Sequence, residues 1–321
     1  MDDEARRRRR AEARRRVVRR RRLVALGLAA LFIVLLVAGG LIAFGGDGDD
    51  GPEASPEPER AALPRGGRTI LPDFRVVAYY GAPQDDELGI LGIGPPRRAA
   101  RRLERQAKPY THPRRPVLPA FELIAAIVTS DPGDGGDHST RQDPSTIRRY
   151  LRVARAHRML LLLDIQPGYA PFLQEAKALE RWLKEPDVGL ALDPEWSLEP
   201  PLLPAQEIGS TDAATVNEVS RYLSGLVREH DLPQKLLVVH RFTRDMIQAE
   251  DELRREPGVA LVVNVDGFGD RPNKVSKYRE FTRDLHRRYN GFKLFYHEDL
   301  NLMSPRQVLR LRPQPDLVVY E

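Results

Sequence analysis

The segment LDPEW at 192–196 places two carboxyl groups two residues apart, Asp193 and Glu195. Residues two apart on a β-strand share a face, so both carboxyl groups can point into one site. The like charge of Asp193 would raise the pKa of Glu195 and keep it protonated, ready to donate a proton to a leaving oxygen. Glu195 and Asp193 are therefore the catalytic candidates of a hydrolytic site.

Polar side chains also close most of the other apolar runs of the sequence. Any one of them could simply meet solvent or cap a helix, but their recurrence over successive runs favours a shared pocket. Asp164 and Asp266 could act as base or nucleophile, and Trp196, with Tyr79 and Tyr80, could supply flat faces for sugar rings. The candidates for substrate binding are Glu122, Asp164, Gln166, His240, Asp266, Tyr80 and Trp196.

The tripeptide Asp193-Pro194-Glu195 resembles the D-x-E that ends the fourth strand in several glycosidase barrels, including the chitinase-like enzymes. In those enzymes the Glu is the acid and the Asp orients it, so the resemblance implies these roles here. The fuller D-x-x-D-x-D-x-E run is missing, since Gly189 and Ala191 occupy the two preceding inward positions. This departure argues against substrate-assisted hydrolysis of an N-acetyl sugar.

Other chemistries find less support in the sequence. A metal site built from His240, Asp266, Asp193 and Glu195 is an alternative, although neither H-x-H nor H-E-x-x-H occurs. There is no G-x-S-x-G elbow, and without cysteine the chain can form no disulfide, thiolate nucleophile or Cys-ligated zinc site. We therefore expect neither a resident metal nor a cofactor.

The elements that would position these residues alternate regularly along the chain. Eight nearly continuous apolar runs, as expected of strands buried on both faces, are separated by amphipathic stretches such as 144–157, 170–185, 212–230 and 274–289. This pattern predicts an α/β fold, a TIM-like (β/α)8 barrel with its site at the carboxyl ends of the strands. The predicted strands lie at 75–81, 117–128, 159–168, 188–196, 235–242, 260–269, 292–299 and 316–321.

Two features of the sequence bear on this fold prediction. An open doubly wound sheet is the alternative, but no predicted strand is followed by G-x-G-x-x-G. The sequence given ends at Glu321, in the eighth run, so we expect the eighth helix to be missing. We expect another segment, such as residues 55–72, to cover the groove that this helix would fill.

The N-terminal part predicts a membrane anchor. Residues 23–44 are uncharged and apolar, and as a helix they would extend roughly 33 Å, which matches the hydrocarbon core of a bilayer. Residues 1–22 carry twelve arginines against four acidic residues, a local charge of +8 that predicts a cytoplasmic tail. Residues 45–72, rich in Gly, Pro and acidic residues, predict a disordered linker to an extracytoplasmic barrel at 73–321.

The charge distribution limits the expected partners. The whole chain has a net charge of +5 and the tail alone +8, so residues 23–321 sum to 5 − 8 = −3. We therefore expect no nucleic acid as a partner. The tail and the anchor are expected to contact membrane lipids, with the tail attracted to anionic head groups. The chain also resembles uncharacterised membrane-anchored (β/α)8-barrel proteins of actinobacteria.

We therefore expect a membrane-anchored, extracytoplasmic glycoside hydrolase-like barrel that acts on a polysaccharide of the cell envelope or outside it. A non-catalytic carbohydrate- or envelope-binding barrel with the same pocket is one alternative. A metal-dependent hydrolase is the other.

Overall fold

A computed structural model of the chain describes residues 60–133, 135–283 and 288–321, and they form a closed parallel barrel. Each strand pairs with the next, and the eighth pairs with the first, Val76 opposite Leu317. The fold prediction of a TIM-like α/β barrel is confirmed. Its strands are β1 Arg75–Gly81, β2 Val117–Val128, β3 Leu160–Ile165, β4 Val188–Leu192, β5 Lys235–Arg241, β6 Val259–Val265, β7 Tyr289–Leu294 and β8 Leu317–Tyr320.

The apolar strands form because both of their faces are buried. Inward side chains such as Val76, Leu162 and Val238 fill the barrel interior, while outward ones such as Val77, Leu163 and Val239 contact the helices. These two sets form separate apolar clusters on either side of the sheet. Alternation along each strand thus decides which polar residue enters the interior and which faces a helix.

Helices cover the outside of the barrel between most pairs of strands. The connection from β5 to β6 is an exception within the described residues, since it holds the two-residue strand Ile247–Gln248 and a 3-10 turn but no α-helix. Ile247–Gln248 pairs with Thr211–Asp212, and Ser139–Arg141 pairs antiparallel with the end of β2. The helices are α1 Pro96–Ala107, α2 Pro144–Ala156, α3 Phe172–Ala178, α4 Glu180–Leu183, α5 Ala213–Glu229, α6 Arg271–Phe281 and α7 Pro305–Val308.

A cluster of tyrosines fills the groove outside β8 and β1. Tyr79 and Tyr320 point outward from these strands, are fully buried, and meet edge to face with ring centroids 6.3 Å apart. Tyr296 stacks on Tyr320, and the hydroxyl of Tyr110 lies 2.6 Å from that of Tyr320. We expected residues 55–72 to cover this groove. Residues 60–72, the described part of that segment, instead pack at the bottom of the barrel.

The segment before β1 closes the bottom of the barrel. Leu63, Ile70 and Leu71 are buried in the inner apolar cluster. The backbone N–H groups of Ile70 and Leu71 both donate to the side-chain oxygen of Gln234, just before β5. The predicted linker therefore extends too far at its C-terminal end. Residues 60–72 are part of the barrel unit, because their few apolar side chains pack against the bottom of the barrel interior.

Replacing Leu63 with alanine tests this closure. We expect the variant to lose about 2–5 kcal/mol of unfolding free energy, because a buried leucine leaves a cavity. The matched control is Leu202→Ala, an exposed leucine, which should change stability by less than about 0.5 kcal/mol. Thermal or urea unfolding would measure both, and equal stability of the two variants would mean that residues 60–72 do not support the barrel.

The N-terminal predictions lie outside the described residues. These are the tail at 1–22, the membrane span at 23–44, and the linker as far as residue 59. Within the described ranges, no helix is both long and apolar enough to cross a membrane.

Candidate active site

A pocket of about 520 Å³ opens at the carboxyl ends of the barrel strands. This is the end of a (β/α)8 barrel where the connecting loops meet and where such barrels carry their sites. The pocket has the size expected of a small-ligand site. It is lined by Tyr80, Glu87, Leu88, Ile124, Gln166, Asp193, Glu195, Trp196, Ile208, Phe242, Asp266, Gly267, Phe268, Lys277, Lys293, Phe295, Glu298 and Glu321.

Glu195 reaches the pocket from a turn rather than from a strand. Strand β4 ends at Leu192, and the 3-10 turn Pro194–Trp196 begins immediately after Asp193. Burial, followed by the like charge of Asp193, raises the pKa of Glu195 to about 7. The direction agrees with the prediction, although burial contributes more than Asp193. Glu195 is thus partly protonated at neutral pH.

Asp266, in contrast to Glu195, is held in its ionised state. Its Oδ2 atom lies 3.1 Å from Lys293 Nζ and 3.0 Å from His240 Nδ1, and its Oδ1 atom accepts from the Gly267 N–H. Burial opposes ionisation, but Lys293 and His240 outweigh it and lower the pKa of Asp266 below its usual range. The pocket therefore presents one carboxylate that keeps its negative charge and one carboxyl group that is partly protonated.

Lys293 is the central cation of the pocket floor. Besides Asp266, it binds Glu321 Oε2 at 2.6 Å, and its ammonium lies 3.9 Å from the centre of the Tyr80 ring. Burial would lower the pKa of Lys293, but Asp266 and Glu321 raise it well above its usual value. Lys293 therefore stays charged and joins the tips of β1, β6 and β8.

Below the floor lies a fully buried polar layer. His240 Nε2 lies 3.0 Å from Glu122 Oε1 and 3.8 Å from Asp164 Oδ1. The hydroxyl of Tyr80 donates to Asp164 Oδ2 and accepts from the Gln166 amide. Tyr80 and Gln166 thus connect this lower layer to the pocket.

Aromatic side chains supply much of the pocket wall. Trp196, Phe242 and Phe295 line it, and Phe268 stands at the rim with 67% of its surface exposed. Phe268 and Phe295 meet edge to face with centroids 5.9 Å apart. Such faces suit the apolar side of a sugar ring or another flat ligand.

The structure brings the predicted residues to one end of the barrel but at different depths. Glu195, Asp193, Trp196, Tyr80, Gln166 and Asp266 line the pocket. Glu122, Asp164 and His240 lie beneath it with at most 1% of their surface exposed, out of reach of a substrate in the pocket. Tyr79 was wrongly expected beside Tyr80: neighbouring residues on a strand face opposite ways, and Tyr79 packs outside the barrel.

Sequence reasoning overlooked Lys293 and the three phenylalanines that line the pocket. Lys293 lies in the middle of an apolar run, two residues from Gly291, on the face of β7 that turns inward. Burying a lysine whose side chain points into a barrel is costly unless the lysine pairs with an acidic group. This inward position is the feature of the sequence from which Lys293 could have been recognised. The phenylalanines come from loops after β5, β6 and β7, whose directions the sequence does not reveal.

Comparison with known proteins adds no family assignment. A scan against protein-family models and a search of curated proteins each found no match for the chain.

Proposed function

We propose that this chain is a glycoside hydrolase-type barrel in which Glu195 is the general acid and Asp266 the ionised carboxylate opposite it. In this proposal the barrel is extracytoplasmic, anchored by residues 23–44, and acts on a polysaccharide of the envelope or outside it. The supporting observation is that Glu195 and Asp266 line one pocket while their surroundings drive their protonation states apart. Hydrolysis of a glycosidic bond needs such a pair, one acid and one carboxylate.

The other pocket residues support this assignment. Asp193 adds a like charge that favours the protonated form of Glu195. Lys293 holds Asp266 ionised by direct contact. The aromatic wall offers faces for sugar rings, and the pocket of about 520 Å³ has the volume of a small-ligand site.

The activity would be tested with the full-length chain in detergent, using a panel of envelope and plant polysaccharides together with aryl glycosides of common sugars. Release of reducing ends or of the aryl group on any of these substrates supports the proposal. Saturable binding without turnover across the panel would instead identify a carbohydrate-binding barrel, and neither binding nor turnover would reject a carbohydrate function.

The pH profile of the active substrate provides a sharper prediction. Because Glu195 must be protonated to donate, kcat/KM should fall about tenfold per pH unit above a pKa near 7. On the acid side it should stay level to well below pH 5, because Asp266 remains ionised there. A rate that rises through pH 7 would contradict the role of Glu195 as acid.

A further inference from the structure

The buried layer under the pocket has the composition of a metal site. One oxygen each of Glu122 and Asp164 and one ring nitrogen of His240 lie within 4.8 Å of one another. All three side chains point into the barrel interior, from β2, β3 and β5. Small movements of these side chains would bring their ligand atoms to a common centre at the roughly 2.0–2.2 Å that zinc requires.

Two oxygen atoms in this layer have no hydrogen-bond partner. They are Glu122 Oε2 and Asp164 Oδ1, on side chains with none of their surface exposed. Asp164 Oδ1 faces His240 Nε2 at 3.8 Å, too far for a hydrogen bond. Buried polar atoms are nearly always satisfied, so two unpartnered carboxylate oxygens beside one imidazole indicate a ligand that occupies the space between them.

The buried polar layer and its surroundings also hold more acidic groups than basic ones. Among the described residues of the barrel interior, four carboxyl groups are at least nine-tenths buried, and they face Lys293 and the imidazole of His240. Buried charge without compensation is costly, so the excess must be met by bound protons or by a further cation. The carboxyl groups are those of Glu122, Asp164, Asp193 and Asp266; Lys293 is a cation, whereas His240 is charged only when it is protonated and is neutral when it binds a metal ion.

We propose that Glu122, Asp164 and His240 bind a divalent transition-metal ion beneath the pocket, with Zn²⁺ as the best match. Carboxylate oxygen together with imidazole nitrogen suits Zn²⁺ or Mn²⁺, whereas Ca²⁺ takes six to eight oxygen ligands. The ion would occupy the space faced by Glu122 Oε2 and Asp164 Oδ1 and would take the Nε2 lone pair of His240.

The contacts around the three ligands resemble those that support metal sites. A metal-binding histidine commonly donates its other ring N–H to a carboxylate, and His240 Nδ1 lies 3.0 Å from Asp266 Oδ2. The second oxygen of Asp164 accepts from the Tyr80 hydroxyl at 3.2 Å. Asp266 would thus link the ion to the pocket while it remains available on the pocket floor.

Thermal unfolding of the full-length chain, stripped with a chelator, tests this proposal without an activity assay. Zn²⁺ at tens of micromolar should raise Tm by about 5–10 °C, since an ion that binds the folded state alone stabilises it by mass action. Ca²⁺ should have little effect. Mass spectrometry of the reloaded protein should find about one zinc per chain, in line with a single set of three ligands.

Two isosteric variants and one control localise the effect. Glu122→Gln and Asp164→Asn should stay folded in chelator but lose the Zn²⁺ shift, because each takes one carboxylate out of the ligand set. The control Asp187→Asn removes a buried carboxylate paired with Arg155 away from the site, so it should lower Tm yet keep the shift. No Zn²⁺ or Mn²⁺ shift in the native chain, or a shift that survives in both site variants, would overturn the proposal.

Discussion

Glu195→Gln should lower kcat/KM for an unactivated oligosaccharide by about 10²–10⁴-fold, the usual contribution of a general acid. The same variant should hydrolyse a 2,4-dinitrophenyl glycoside nearly as well as the native chain, because that leaving group departs without a proton. Glutamine has the shape of glutamate, and no described side chain bonds to the Glu195 carboxyl group, so the fold should be retained.

Asp266→Asn should behave differently because the ionised carboxylate is needed whatever the leaving group. We expect its kcat/KM to fall for both substrates, by about the same 10²–10⁴-fold or more. Glu199→Gln is the matched control, since Glu199 is an exposed glutamate on the same loop outside the pocket, and both its rates should stay at the native level. Equal losses on both substrates for Glu195→Gln would mean that Glu195 is not the acid.

The barrel could be predicted from the sequence because its strands are buried on both faces and therefore read as continuous apolar runs. The carboxyl ends of those runs also indicated where polar side chains would meet, and six of the nine predicted site residues line one pocket. Side chains alternate between the two faces of a strand, so placing Tyr80 inside the barrel also places Tyr79 outside it. The wrong expectation for Tyr79 was therefore avoidable.

The depth of each polar residue could not be predicted in the same way. Ile124 and Gln166 line the pocket, and the preceding inward residues on the same strands are Glu122 and Asp164. Glu122 and Asp164 are therefore buried beneath the pocket floor. Depth depends on how far each strand extends past its neighbours, which the barrel register decides and a single run does not show. Residues 60–72 were misjudged for a related reason: their partners, such as Gln234, lie more than 160 residues away along the chain.

Lys293→Met should be the most destabilising single change in the pocket floor. It leaves Asp266 and Glu321 without their shared cation, and breaking a buried ion pair by removing one partner costs about 3–5 kcal/mol. For a barrel of this size we expect Tm at pH 7.5 to fall by about 10 °C. Methionine keeps the length and apolar stem of the lysine, so lost packing contributes little.

The pH dependence separates charge from packing in this variant. In the native chain the lowered pKa of Asp266 gives stability that is present above its unfolded pKa and is lost only as the pH falls through the lower folded value. In Lys293→Met both carboxyl groups can take up protons as the pH falls, so the difference in Tm should narrow towards pH 4. The control Lys277→Met removes a half-buried lysine at the pocket rim that forms no ion pair among the described residues, and its Tm should stay near the native value. A deficit for Lys293→Met that is the same at pH 7.5 and pH 4 would show that packing, rather than the pairing of Lys293 with Asp266 and Glu321, holds the pocket floor together.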